Sequence, residues 1–173
     1  MQASLQKACT GCLSMNYSIE IRKAVAEDID ALLDILNSAT QKLLAKNIPQ
    51  WEYPWDKNEV LEYIEKQEFY IAQYNGKPCG CFGIKEFENI FVPSDKNSVY
   101  FYHLAVHPDY NGKGIGNKIC GWVHQYAKTN GVNIYFDCWA GNDKLRQFYT
   151  AAGFEFIGEF PEEDYFVAAF KTK

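Results

Sequence analysis

Residue type and spacing point most directly to chemistry in the stretch His107-Pro108-Asp109-Tyr110-Asn111-Gly112-Lys113-Gly114-Ile115-Gly116. A chain that leaves a strand, turns through alternate glycines and enters a helix presents unpaired N–H groups at the positive end of that helix. Such an end suits an anion, phosphate above all. Two commoner phosphate motifs do not fit. G-x-G-x-x-G begun at Gly112 needs glycine where Asn117 stands, and a Walker loop needs Gly-Lys-Ser/Thr after four intervening residues. A plain helix-capping loop is the bland alternative. Three glycines in five residues lower helix propensity, however, so something should require close approach of the backbone.

The cysteines are a weaker signal. Cys9 and Cys12 form a lone C-x-x-C in a polar leader, and Cys79 and Cys81 have the wrong spacing for a matching zinc knuckle, so incidental thiols are expected and no metal. Alternation along a strand puts Cys79 and Cys81 on one face. A length of 173 residues suits one domain with one sizeable core. Hydrophobic content of 47% and charged content of 23% fit an ordinary soluble chain, while 16% aromatic residues predict an aromatic core and pocket. A formal charge of −5 argues against a nucleic-acid-binding surface. No apolar run approaches the roughly 20 residues that span a bilayer, and the first residues lack the apolar core of a secretory signal. The expectation is a cytoplasmic protein with no membrane partner: a flexible extension over residues 1–14, then a single domain over 15–173.

The elements that must position the glycine stretch follow from periodicity. Residues 18–24 alternate as a strand, and Ile29, Leu32, Leu33, Leu36, Leu43 and Leu44 recur at helical spacing to about residue 46, with Asn37 to Thr40 a weaker stretch that can bend the helix. Ile48 to Trp55 contains two prolines and three large aromatics and reads as a loop. Its Trp51, Tyr53 and Trp55 either cap the core or wall an acceptor pocket. Asp56 caps a shorter helix to Lys66. Phe69–Tyr74 and Pro78–Glu86 form a hairpin about Asn75-Gly76, and Val99–Val106 is an aromatic, β-branched strand leading to the glycines. Beyond them, an apolar helix face from Ile115 to Ala127 stops at Gly131, and a strand follows over Val132–Cys138. Strand, crossover helix and strand of this size make a right-handed parallel βαβ unit. Asn142 or Asp143 caps a fourth helix carrying Tyr149, and strands at Phe154–Phe160 and Tyr165–Lys171 close the chain. The order is β-α-α-β-β-β-α-β-α-β-β.

That order, together with Leu104-Ala105-Val106-His107-Pro108, the YNGKGIG run and NDKLRQFYTAAGF, resembles the GNAT superfamily of acetyl-CoA-dependent N-acetyltransferases over about residues 17–171. The resemblance implies an α/β fold: a central mixed, mostly antiparallel sheet with a parallel, splayed βαβ unit, flanked by about four helices. It implies acetyl-CoA as co-substrate and a small-molecule or peptide amine as acceptor. It allows a homodimer that no feature of the sequence supports by itself. The family's phosphate motif falls on Asn111, Gly114 and Gly116. Asn111 departs from the usual Gln or Arg, while backbone from Gly112 through Lys113, Gly114, Ile115 and Gly116 to Asn117 is placed to hold pyrophosphate. Leu104, Ala105 and Val106 would pair with the pantetheine arm, with a backbone N–H near Val106 at the thioester oxygen. Asn142 matches the polar residue near the arm and Tyr149 the general acid.

Chemistry independently suits Tyr149, because amine attack on a thioester releases a thiolate, and a phenol of pKa near ~10 is protonated at neutral pH. Packing beside Phe148 is its bland alternative. For the base, His103 has a suitable ordinary pKa near ~6.5 and acts directly or through water. Tyr102 and the carboxylates Glu59 and Glu62 stay open, and His107 and His124 are less suited. Alternation groups His103 with Phe101 and Ala105, unless a bulge reverses its face. The contrasting function is a non-catalytic acyl-CoA-binding sensor or regulatory module.

Overall fold

The computed structural model describes residues 18–173; the expected extension over 1–14 and the Cys9–Cys12 pair lie outside the described residues. The strands are β1 (Ile19–Lys23), β2 (Phe69–Tyr74), β3 (Lys77–Glu86), β4 (Ser98–Val106), β5 (Asn133–Trp139), β6 (Glu155–Glu162) and β7 (Tyr165–Lys171). They form one sheet in the order β1-β2-β3-β4-β5-β7-β6. Every pairing is antiparallel except β4 with β5. The helices are α1 (Ile29–Leu44), α2 (Lys57–Glu65), α3 (Ile115–Asn130) and α4 (Asp143–Ala151). Fold class and element order are those expected from the sequence.

Each face of the sheet buries one helix pair, because the strands alternate apolar side chains to both sides. Ile29, Leu32, Ile35 and Leu36 of α1 join Val60 and Ile64 of α2 over Phe69, Ile71, Cys81 and Tyr102. On the other face, Ile115, Ile119 and Val123 of α3 and Tyr149 of α4 cover Phe82, Phe101, Phe136 and Phe170. A 3₁₀ turn at Ala26–Asp28 leads into α1, and the Asp28 carboxylate both accepts from the Val25 N–H at 2.9 Å and pairs with Arg22 at 2.6 Å. The polar stretch Asn37 to Thr40 leaves α1 a single unbroken helix, since Thr40 Oγ1 donates to the Leu36 carbonyl at 2.7 Å and needs no break in the ladder.

Three departures from plain alternation shape the site. Ala72 faces Gly80 and Gln73 faces Pro78, so Cys79 is the extra residue of a bulge. Cys79 therefore lies on the α3 face and Cys81 on the α1 face, which corrects the expectation that they share one. In β4, Ala105 faces Cys81 and Tyr102 faces Gly83, leaving His103 and Leu104 opposite Phe82 alone. This second bulge gives His103 a φ of 53° and turns it to the side of Tyr102, away from Phe101. Finally, the parallel pairing runs only from Ser98↔Asn133 to Tyr100↔Tyr135. Past Tyr100 the two strands part, as the βαβ unit was expected to do.

Candidate active site

A cleft of about 970 Å³ opens where β4 and β5 separate. At one end Leu104, Val106, Asn111, Gly116, Asn142 and Phe148 line it; at the other stand Trp51, Tyr63, Lys85, Tyr100, Tyr102 and His103. Tyr149, from α4, and Asp137, from β5, also line the wall.

The glycine-loop end is built largely of backbone. Gly112 and Gly114 take φ values of 78° and 70°, a region costly for any residue with a Cβ, and Gly114 is the N-cap of α3. Gly116 answers a different need, since a Cβ there would stand 3.1 Å from Phe148 Cζ. Only Gly116 shows the close approach that the glycine spacing implied; a Cβ on Gly112 or Gly114 would meet nothing within 4 Å, so those two answer to their φ alone. The first α3 bond from this end is the Lys118 N–H to the Gly114 carbonyl at 3.1 Å, so the N–H groups just before it have no helical acceptor. Of the predicted loop residues, Asn111 and Gly116 line the cleft itself. Lys113 lays its ammonium 4.8 Å from the Tyr110 ring, Ile115 is buried beneath, and Asn117 is exposed on the first turn of α3.

Along β4 the His107 N–H donates to the Cys79 carbonyl at 2.9 Å, toward β3. By alternation the Val106 and Leu104 backbone groups point the other way, to the edge that β5 has left. Among the described residues this stretch of strand edge has no strand partner; ending at a helix N-terminus, it fits an extended amide arm carrying a phosphate group. Asn142 caps α4, its Oδ1 accepting from the Leu145 N–H at 3.1 Å, while its amide remains on the cleft wall.

Tyr149 is only 6% exposed, with Phe136 at 4.5 Å and Phe148 at 5.3 Å between ring centroids. Burial above all, then the nearby Cys120, Cys138 and Asp137, push its phenol well above the ordinary range, so it holds its proton. His103 sits in an aromatic box: Tyr102 and Trp55 at 4.9 Å, Tyr63 at 5.7 Å and Trp51 at 6.1 Å. Burial, helped by Lys85, pushes its imidazole down to about 4, so it is neutral at physiological pH.

The remaining candidates separate cleanly. Tyr102 donates to Glu68 Oε2 at 2.9 Å, and burial with that carboxylate pushes the phenol up, which suits a proton holder better than a base. Glu59 accepts from the Tyr63 hydroxyl and Glu62 pairs with Lys66 at 2.6 Å; neither lines the cleft. His107 Nδ1 accepts from the Asp109 N–H at 3.2 Å, and His124 stacks on Phe154 at 4.2 Å in the α3–α4 packing. The aromatic loop is split. Trp51 lines the cleft, whereas Trp55 stands behind it, its Nε1–H donating to Thr40 Oγ1 at 2.9 Å and its N–H to Asn37 Oδ1 at 3.0 Å. Tyr53 is 46% exposed and lies outside the lining, its hydroxyl accepting from Gln41 at 2.5 Å. The polar stretch of α1 thus anchors the loop.

Five charged residues of the cleft lining, Lys42, Lys46, Lys85, Asp137 and Asp164, escaped sequence reasoning, and of these Lys85 and Asp137 are half-buried. Asp137 accepts from the Tyr100 hydroxyl at 2.6 Å, and burial raises its carboxyl above the ordinary range despite that bond. Its signal was available: a lone acid within the apolar strand Ile134–Trp139. Lys85 lies 4.9 Å from the Tyr102 ring centroid, and nothing in its local sequence marks it.

Residues 30–154 match the acetyltransferase (GNAT) family. The chain is 26% identical over 162 residues to an uncharacterized N-acetyltransferase of Methanocaldococcus jannaschii, a match covering 87% of this chain and 66%, just under two thirds, of that protein. It is 26% identical over 148 residues to the uncharacterized N-acetyltransferase YesJ of Bacillus subtilis, covering 78% of this chain and 81% of the relative. The crystal structure of PaiA N-acetyltransferase from Thermoplasma acidophilum in complex with coenzyme A shares the fold, with a TM-score of 0.67 at 21% identity over 88% of this chain and 98% of that one. Among the described residues no helix is long and apolar enough to cross a membrane. With the splayed β4–β5 pair, the glycine-bounded helix start and the matched region in agreement, the chain belongs to the GNAT acetyltransferase family.

Proposed function

We propose that this protein transfers an acetyl group from acetyl-CoA to a primary amine by direct attack, with no acyl-enzyme intermediate. The observation that carries this is the unpartnered β4 edge running to the α3 N-terminus, with a protonated phenol on the wall of the same cleft. Leu104, Ala105 and Val106 would hold the pantetheine arm, with the α3 N-terminus and Asn111 at the pyrophosphate and Asn142 beside the arm. When bound, acetyl-CoA supplies an activated thioester.

In the transfer, the amine nitrogen bonds to the acetyl carbon and the carbon–sulfur bond breaks. The Val106 N–H donates to the carbonyl oxygen as charge gathers there. Tyr149 gives its proton to the leaving sulfur. The proton lost by the amine passes to His103, directly or through water; a neutral imidazole receives an ammonium without repelling it, and the burial that keeps it neutral also makes it a weaker base than an ordinary histidine. Asp137 is the second candidate for that proton, favoured by a carboxyl that burial has made more basic. Trp51, together with Tyr63 and Tyr102, walls the acceptor.

The test is Tyr149→Phe, which keeps the ring packing and removes the acid. Turnover should fall at least about tenfold while CoA affinity survives. Unchanged turnover with a true acceptor would remove Tyr149 from this role. Tight CoA binding by the wild type, without turnover of any amine, would favour an acyl-CoA sensor instead.

A further inference from the structure

The acceptor end of the cleft is electrically divided. Lys42, Lys46 and Lys85 line its α1 and β3 side, whereas Asp137 and Asp164 line the side formed by β5 and the β6–β7 turn. Lys42 and Lys46 are exposed at the rim; Lys85 and Asp137 are half-buried. Neither Lys85 nor Asp137 forms an ion pair among the described residues. Both instead engage the same side chain. Lys85 faces Tyr100 across the β3–β4 ladder with its ammonium 5.9 Å from the ring centroid, and Asp137 holds the Tyr100 hydroxyl at 2.6 Å. Opposite charges therefore bracket one tyrosine in a partly desolvated cleft without neutralising each other. Ions in such surroundings interact more strongly than on open surface, and charges left without a counter-ion favour a ligand that supplies one.

We infer that the acceptor is a small amino-carboxylate, its amine directed to Asp137 and its carboxylate to Lys85. This rests on the acetyl-transfer function proposed above. With Tyr100 between the two charges, a zwitterion whose amine and carboxylate are joined by a short carbon chain fits, whereas a long polycation or a basic peptide is mismatched at Lys85. Trp51 and Tyr63 would contact the carbon skeleton between them. The formal charge of −5 belongs to the whole chain; the local charges matter more, because they lie where the ligand would be.

The test compares matched acceptors that differ only at the carboxylate: the common α-amino acids and short ω-amino acids against their amides and methyl esters. Acetyl-CoA-dependent thiol release should prefer the free acid by about 30-fold or more in kcat/KM, mostly through KM. Lys85→Met should reduce that preference at least about tenfold, and Lys85→Arg should retain most of it. Equal use of acids and amides, or a preference that survives Lys85→Met, would overturn the inference and leave acetyl transfer standing. If no amine is acetylated, thermal unfolding with CoA present gives a separate readout. Greater stabilisation by the acids than by their amides, lost in Lys85→Met, would support the zwitterion site while removing the acetyl-transfer function. Equal stabilisation, or none from either, would overturn it.

Discussion

Along the glycine-loop end of the cleft the groups presented are peptide N–H and C=O groups, set by the β4 edge, two left-handed glycines and the first turn of α3. At the end proposed for the acceptor they are side chains drawn from the Trp51 loop, α2, β3, β4 and β5. The difference teaches how each end tolerates change. Backbone donors survive most substitutions that leave the local φ and ψ intact, so the first end is damaged chiefly by altering its glycines. Side chains can be replaced singly with little effect on the strands that carry them, so the second end can change specificity while the fold persists.

The largest effect that sharpens this contrast should come from Gly114→Glu. It places an anion at the helix N-terminus where pyrophosphate is proposed to sit, and CoA affinity measured by calorimetry should fall about 100-fold or more. Gly131→Glu is the matched control, because Gly131 also has a positive φ, 63°, at the opposite end of α3. It should cost stability of about 1–2 kcal/mol from left-handed strain but leave CoA affinity within a few fold. Equal loss in both variants would mean that strain, and not charge at the phosphate site, decides the outcome.

At the acceptor end the next effect is one of pH. The His103 imidazole is held at about 4 in the folded protein, below its ordinary value near ~6.5, so the unfolded chain binds more protons between these limits. Its contribution to stability is therefore complete above about pH 6.5 and is lost as pH falls toward 4; the upper bound is about 3 kcal/mol. Urea unfolding across this window should show the corresponding slope, and His103→Asn, a residue that tolerates the positive φ, should flatten it. An unchanged slope would assign the acid sensitivity to other groups.

The smallest effect separates the two tryptophans. Trp55→Phe removes the bond to Thr40 Oγ1 and should destabilise the fold by about 1 kcal/mol with little change in acceptor KM. Trp51→Phe, which alters the cleft wall, should do the reverse. Identical behaviour of the pair in urea unfolding and steady-state kinetics would erase the distinction between wall and support.

The same contrast explains what could be read from the sequence. Gly112 and Gly114 announced themselves because backbone geometry restricts residue choice, and Gly116 because Phe148 leaves little room for a Cβ; the periodicities of α1 and α3 set both helices near their observed limits. Cys79 was assigned to the wrong face because a bulge adds one residue to a period of two. The β4 bulge that turns His103 into the aromatic box was open for the same reason. Lys85 and Asp137 gain their meaning only when β3 and β5 flank β4, a long-range pairing that no local pattern encodes. Tyr53 and Trp55 shared a motif with Trp51, but their partners on α1 determine which ring reaches the cleft.

The most direct measurement is the initial rate of thiol release from acetyl-CoA by the wild-type protein, with and without each member of a broad panel of primary amines. Acetyl transfer predicts release that depends on both the protein and a particular amine, with the N-acetylated amine formed in equal amount. Stoichiometric CoA binding with no amine-dependent thiol release across that panel would contradict it.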